Sequence, residues 1–508
     1  MKKPLAQTAS IRSIPAPTRG LTSEIPLAMM HPTDAIVLEN LVCRPGAVEI
    51  RKGWQDWVVG FSATVETLFS YQSLSGATDK LFAAAGTAIY DVSANGTVGA
   101  GVVTGLTSAY WAQTQLANAA GNYLIIVNGA DTGRTFDGTT WASWGITGVA
   151  STAIVQVAVW KRRVWAVEKN TTKAWYGAAD AIAGAMTAFT LAGVFRRGGK
   201  LLAIIPWTID AGSGVDDHLL FISTEGEVAV YKGTDPTSAA TFALQGLYFI
   251  GAPVGTRFWA QVGGDVWILT VAGLVSFSSF LQSTTLDKSS VKTDRIRRLI
   301  LTDIGSYGSI QGWEVVYFPE ENLLFLQVPV GLVGARYQWV MNTITGAWSK
   351  CLQVAVVTYA THNGALYAGH ATEVALSWAG GLDDGVPIEY RMIPAFSTFG
   401  SGGQGKQFTL GRVLMEVDYL PTFRVKLLRD YDTNYTIPAF SPSPTSSAVW
   451  DTAIWDASLW GGFVTVYNSI YSLTGFGRAA ALAFEGISSG SIVRFVSFEY
   501  TFILGGPL

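Results

Sequence analysis

One run in this chain has the outline of a ligand loop, Gly400-Ser-Gly-Gly-Gln-Gly-Lys406. It satisfies G-x-G-x-x-G and the first seven positions of a P-loop, which cradles phosphate with backbone N–H groups and a lysine. The eighth position should be Ser or Thr to hold magnesium, and Gln407 stands there. The loop should also open a helix whose first N–H groups point at the phosphate. Instead Gln407-Phe-Thr-Leu-Gly-Arg-Val-Leu-Met-Glu-Val alternates like a strand. The run therefore reads as a flexible linker. His31, His218, His362 and His370 fall in no H-x-x-x-H or H-E-x-x-H spacing, and Cys43 and Cys351 lie far apart in sequence, so no zinc site is expected. There is no G-x-S-x-G elbow. Acidic pairs occur at Asp216 and Asp217, Glu225 and Glu227, Glu320 and Glu321, and Asp383 and Asp384. Adjacent residues on a strand point apart, so the paired positions make poor general acid/base dyads. They read as solvated turns or, more sharply, as the lining of a channel that repels DNA phosphates. Arg134, Arg257, Arg336 and Arg391 are the arginines from which a sialidase-like site, with Tyr, Glu and Asp, would be assembled. The expectation is no catalytic residue, no cofactor and no metal.

Composition narrows the classes. A chain of 508 residues exceeds the ~250–300 at which one core stops growing, so it needs two domains or a radial repeat with appendages. Only 14% of residues are charged and the mean hydropathy is +0.30, against about 25% charged in typical soluble domains. No run reaches the ~18 apolar residues of a membrane-spanning helix. The apolar excess is therefore expected in strands and in contacts between copies. A net charge of −3 excludes a simple basic clamp on DNA. The opening Met1-Lys-Lys-Pro-Leu-Ala-Gln-Thr has no apolar stretch of a secretory signal, and the chain is expected to be made in a cytoplasm.

The positioning elements read as all-β. Residues 1–55 carry Pro15, Pro17, Pro26, Pro32 and Pro45 and are expected to form an extended N-terminal arm packing across something else. From 56 to 399, short apolar strands such as Arg163-Val-Trp-Ala-Val167 and Asp265-Val-Trp-Ile-Leu-Thr270 recur between Gly, Asn, Asp and Thr turns. That spacing predicts a β-propeller-like array of six or seven hairpin blades. Gly129-Ala-Asp-Thr-Gly-Arg-Thr-Phe136 resembles the Asp box of sialidase-type propellers, with Asp131, Gly133, Thr135 and Phe136 matching and Gly129 in place of Ser. In that motif the Asp bonds turn N–H groups, a glycine turns left-handed and the aromatic anchors the hairpin, so it bears on fold and not on chemistry. One helix is predicted at 290–304, capped by Ser289 or Ser290, with Val291, Ile296, Leu299, Ile300 and Ile304 as its apolar stripe. Arg295, Arg297 and Arg298 on it form a solvated face or a docking face for a partner subunit. Residues 400–406 are the linker, and 407–508 are expected to form a C-terminal β domain of sandwich type. Within it Trp450, Trp455 and Trp460 recur every five residues, as a local mini-core, a subunit contact or a platform for sugar.

Three strings carry a family resemblance: Asn40-Leu-Val-Cys-Arg-Pro-Gly-Ala-Val-Glu-Ile-Arg-Lys-Gly53, Tyr337-Gln-Trp-Val-Met-Asn-Thr-Ile-Thr-Gly-Ala-Trp348, and the Trp450–Trp460 ladder. Together they resemble the tail tubular or nozzle proteins of short-tailed, podovirus-type bacteriophages. The resemblance implies a virion protein of the tail, a homo-hexameric ring below an adaptor and portal. It also implies host attachment, contacts with tail fibres and a lumen for genome ejection that passes viral DNA without sequence-specific contact. The alternative from the fold is a glycan-binding or glycan-cleaving, sialidase-like propeller. An arginine, tyrosine and carboxylates meeting at the propeller centre would mark that alternative.

Overall fold

The computed structural model describes residues 9–210, 215–283, 285–331, 336–417, 422–434, 465–488, 490 and 492–507. Trp450, Trp455 and Trp460 lie outside them. Seven antiparallel sheets follow one another around an axis. Blade 1 is Val65–Tyr71, Lys80–Ala85, Ala88–Asp91 and Val103–Thr104. Blades 2, 3 and 4 open with Ala112–Asn118, Ile154–Trp160 and Leu201–Asp210, and each has four strands. Blade 5 has three, Trp259–Val262, Asp265–Thr270 and Gly273–Ser276. Blade 6 is Glu314–Phe318, Leu323–Pro329, Arg336–Asn342 and Ala347–Cys351. Blade 7 takes Thr358–His362, Ala365–Gly369 and Glu373–Ser377 from late in the chain and its outer strand, Trp54–Val59, from the start. Pairing of Trp54–Val59 with Glu373–Ser377 closes the ring, which leaves no propeller edge open at that seam. This is a β-propeller, as the hairpin spacing predicts.

The strands form where they do because each alternates between two blade interfaces. Phe82, Phe136 and Trp141 meet between blades 1 and 2 with ring centroids 4.9–5.1 Å apart. Trp165, Phe221 and Phe242 meet between blades 3 and 4. Asp131 of the Asp-box-like turn accepts hydrogen bonds from the Thr107 and Ser108 backbone N–H groups and from Asn128, so it ties the blade 1–blade 2 connection. Its left-handed glycine is Gly129 at φ +72°, where the Ser of the motif would stand; Gly133 is not left-handed.

Short helices replace the missing fourth strand of blade 5: Phe277–Ser283, a turn at Asp294–Ile296 and Arg297–Tyr307. The predicted 290–304 helix therefore starts later and ends later. Ser289 and Ser290 bond the Asp287 carboxylate instead of capping it. The cap comes from the arm, as the Arg298 N–H donates to Glu24. Leu299 is exposed, while Val291, Ile296 and Ile300 are buried.

Most of the remaining described strands form a two-layer sandwich. One layer runs through Thr465–Gly477, Gln404–Val417 and Val493–Pro507, with Ala9–Pro15 and the hairpin Leu41–Arg44/Ala47–Ile50 on the far side of Val493–Pro507. The other layer is Ala35–Glu39, Val386–Pro394, Ala480–Ser488 and Thr422–Arg429. Phe408, Val413, Met415, Phe495 and Phe498 face Tyr390, Met392, Leu482 and Phe484 across the core. The arm is thus part of the sandwich. Its outermost strand and hairpin complete one layer, and Ala35–Glu39 bridges the other layer to blade 6 through Glu39 and Lys350. The glycine run is not a spacer throughout, because the strand begins at Gln404. Lys406 is fully buried, and its ammonium donates to the carbonyls of Ser401, Gln404 and Arg478. Those three carbonyls use up its donors, so no phosphate-binding lysine is presented.

Candidate functional site

All seven inner strands face a cavity of about 740 Å³ on the propeller axis. One end is crossed by a polar hub. Arg257, entering blade 5, donates to Thr358 of blade 7 at 2.9 Å and to Thr67 of blade 1 at 2.7 Å. It stacks on the Tyr110 ring ahead of blade 2, 4.0 Å from the ring centroid, and pairs with Glu314 of blade 6 at 3.5 Å. Tyr110 in turn hydrogen-bonds Thr256 at 2.7 Å. Glu314 also accepts from the Thr358 hydroxyl and the Tyr359 N–H. Burial holds the Glu314 carboxyl above its usual range, with Arg257 pulling the other way. The hub joins five blades across the axis, and each charge in it is answered within the chain.

What the cavity can do follows from its walls. Gln113, Thr114, Gln156, Gln261, Tyr110 and Trp259 give it amides, hydroxyls and rings, and Glu314 is the one carboxylate among its lining residues. Outside sialidases, which use a tyrosine nucleophile, glycoside cleavage ordinarily needs two carboxyl groups flanking the bond, ~5–9.5 Å apart. Of the four arginines considered from sequence, Arg257 reaches the hub. Arg336 lies near Glu314 but donates to the Gly312 and Val357 carbonyls. Arg134 bonds Ser143 and Arg391 pairs with Glu485 on the sandwich. Glu314, the residue on which the hub turns, was not singled out from sequence. Its signal is faint: a lone Glu opening an otherwise apolar strand, Glu314-Val-Val-Tyr-Phe318.

The acidic candidates do not gather in the propeller cavity. Asp217 is paired with Lys161 and accepts from Thr208. Glu227 is buried and accepts from the Arg196 and Arg197 N–H groups. Glu321 pairs with Arg44 and Lys52, and Asp383 takes both arms of Arg51. Glu225, Glu320 and Asp384 are exposed; Asp216 is in the strand Val215–Ser223. Among the basic candidates, Arg295 is spent on the buried Asp34 at 2.7 Å, and Arg297 and Arg298 are exposed at the helix start. Among the described residues no cluster of His, Cys, Asp and Glu is arranged to hold a metal.

A second region stands out by contrast, the outer face of the sandwich layer that carries both termini of the β domain. Side chains line up across its strands in rows: Ile11, Thr501, Leu410 and Ser472; Glu499, Arg412 and Ile470; Arg494, Glu416 and Val466. Ile11 is 62% exposed, Val466 65%, Ile470 59%, Leu410 43% and Phe476 42%. Between them run the ion pairs Arg412–Glu499 and Arg494–Glu416.

Two of the three strings that carried the resemblance, Asn40–Gly53 and Tyr337–Trp348, meet at the joint between propeller and sandwich. Asn342 donates to the Cys43 carbonyl at 3.0 Å. Asn40 is buried with φ 54°; its amide donates to the Glu389 carbonyl and accepts from Arg51 and from the Leu352 N–H. At Gly53 a Cβ would sit 1.8 Å from the Leu382 carbonyl oxygen, so only glycine lets the chain pass from sandwich to propeller.

The class this defines is a seven-bladed β-propeller carrying a β-sandwich built from both ends of the chain. No family model matches it, and no curated protein matches it. Solved structures similar to it include BBS1N in complex with ARL6DN (10% identity, 65% of this chain and 98% of that one, TM-score 0.38). YCF48 bound to D1 peptide is 12% identical over 64% of this chain and 94% of that one, with TM-score 0.38. The Swd1 β-propeller domain of Myceliophteria thermophila is 11% identical over 63% and 98%, with TM-score 0.37. At such values these likenesses say nothing of function. No helix among the described residues is long and apolar enough to cross a membrane.

Proposed function

We propose that this chain is a structural, non-enzymatic subunit of the tail nozzle or tube of a short-tailed bacteriophage. Six copies form a ring through whose hole viral DNA leaves, with an adaptor above and tail fibres attached. The observation that carries the reading is the outer sandwich face, where Ile11, Leu410, Val466, Ile470 and Phe476 stand in water on a solitary chain. Exposed apolar patches of that kind mark contact surfaces. The Asn40–Gly53 and Tyr337–Trp348 strings add support, because they pack on each other at the joint that fixes propeller to sandwich. The propeller axis, crossed by Arg257, is no conduit; DNA passes between copies. Electron microscopy and light-scattering mass of the purified chain test this. Rings are expected, and a stable single-chain mass with no ring overturns it.

The convergence of Arg257, Tyr110 and Glu314 favours a second reading, a glycan-binding propeller. Titration with sialylated and neutral oligosaccharides, followed by tryptophan fluorescence, separates the two. Saturable binding lost in Arg257→Gln, in a folded variant, favours the second.

A further inference from the structure

Among the described residues, the sandwich layer with the apolar outer face has two edges without a further strand. Ala9–Pro15 pairs only with Val493–Pro507 among the described residues, and Thr465–Gly477 pairs only with Gln404–Val417. An unpaired edge presents a row of N–H and C=O groups, and proteins guard such edges with Lys, Pro or bulges. The edge strand Thr465-Val-Tyr-Asn-Ser-Ile-Tyr-Ser-Leu-Thr-Gly-Phe-Gly477 has 13 residues without a charge or a proline. Among the described residues its guards lie toward the far end, a bulge between Ser472 and Gly475 and Arg429, which donates to the Phe476 carbonyl at 3.3 Å. On the opposite edge Ile11 points outward with the same exposure as Val466 and Ile470.

Direction decides what fits. Ala9–Pro15 is antiparallel to Val493–Pro507, which is antiparallel to Gln404–Val417, which is antiparallel to Thr465–Gly477. The two edge strands therefore run in opposite senses. Setting one copy beside the next places Ala9–Pro15 antiparallel to the neighbour's Thr465–Gly477 and continues the same ladder. We propose that copies of this chain join by this edge-to-edge pairing, so that the outer sandwich layers form one sheet around the ring. A second copy is the occupant because each chain carries both halves of the contact, at opposite ends of one sheet. Such a head-to-tail contact is the kind that closes into rings. The proposal rests on the ring reading above and says how the ring is made.

Paired cysteines test it. Ile11→Cys is combined in turn with Val466→Cys, Asn468→Cys and Ile470→Cys, which share the outer face. Facing positions on paired strands approach within disulfide reach. The chain's own thiols, Cys43 and Cys351, are buried, and burial pushes both up to about 12, so they do not compete. Mild oxidation is expected to give a ladder of covalent multimers in one of the three pairings and none in the single variants. Ile470→Lys, at a side chain 59% exposed, should leave the far-UV circular dichroism unchanged and reduce the assembled fraction at least tenfold. Rings that give no ladder in any pairing, or that survive Ile470→Lys, overturn the edge pairing and leave the ring reading standing. A wild-type chain that stays single overturns both.

Discussion

The propeller centre and the outer sandwich face are opposites. At the centre, polar side chains from five blades answer one another, and a guanidinium and a carboxylate are paired in a hub. On the face, apolar side chains stand exposed beside ion pairs, with an uncharged strand at the rim. The centre is self-sufficient and the face is not. A ligand at the hub would have to displace internal bonds, whereas a partner on the face gains by covering carbon. The difference is why the proposed assembly is placed on the sandwich, with the propeller axis held by internal bonds.

The sharpest way to break that contrast is Arg257→Ala. It leaves Glu314 buried without its partner and unties Thr67, Thr358 and Tyr110, so stability measured by urea unfolding should fall by about 3–5 kcal/mol. A loss below ~1 kcal/mol would mean the hub is not structural and would reopen the centre as a binding site.

The joint between the regions comes next. Asn40→Ala removes an amide that makes three hydrogen bonds and puts a Cβ-bearing residue without polar reach at φ 54°. The expected cost is roughly 2–4 kcal/mol. If propeller and sandwich then melt separately by calorimetry, the joint is what couples them.

A pH measurement sharpens the comparison further. His370 in blade 7 is buried against Trp54, and burial pushes its imidazole from 6.5 down to about 4. The unfolded chain binds that proton first, so the stabilising contribution is whole above about pH 6.5 and is lost as pH falls toward about 4. The full loss is about 3 kcal/mol. Glu373 is raised by burial and by Asp56 and Asp384, so it shifts stability the other way over the acidic range. Comparing wild type with His370→Gln at pH 7 and pH 4.5 isolates the histidine: the variant should lose less on acidification. Equal losses would place the acid sensitivity elsewhere.

The smallest stability effect belongs to the face. Leu410→Lys should change unfolding free energy by no more than ~0.5 kcal/mol, since the side chain is already 43% exposed, yet it should weaken assembly in a dilution series. A large stability change there would mean the face is part of the fold and not a contact surface.

Much of the architecture was legible because its cause is local. Alternation in Arg163–Val167 and Asp265–Thr270, with glycine and aspartate at the turns, specifies hairpins that can only stack blade on blade. Asp131 and Phe136 were readable for the same reason, although the left-handed glycine fell at Gly129. The helix boundary was less readable, because its cap, Glu24, comes from 274 residues away. Lys406 looked like a linker lysine because its burial depends on the Arg478 carbonyl, 72 residues away, as well as on the nearby carbonyls of Ser401 and Gln404. Glu314 and Arg257 were not readable as a pair at all, since their meeting needs the propeller closed.

By itself the sequence determined the strands, their turns, the sparse charge and the absence of local catalytic spacing, because each depends on residues a few positions apart. The tertiary structure alone decided that Trp54–Val59 would close the ring, that the arm would complete the sandwich and that the arginine would lock the axis. It also decided that the uncharged edge strand would lie at the rim. Those outcomes depend on contacts between segments from about fifty to several hundred residues apart, and only the folded chain brings them together.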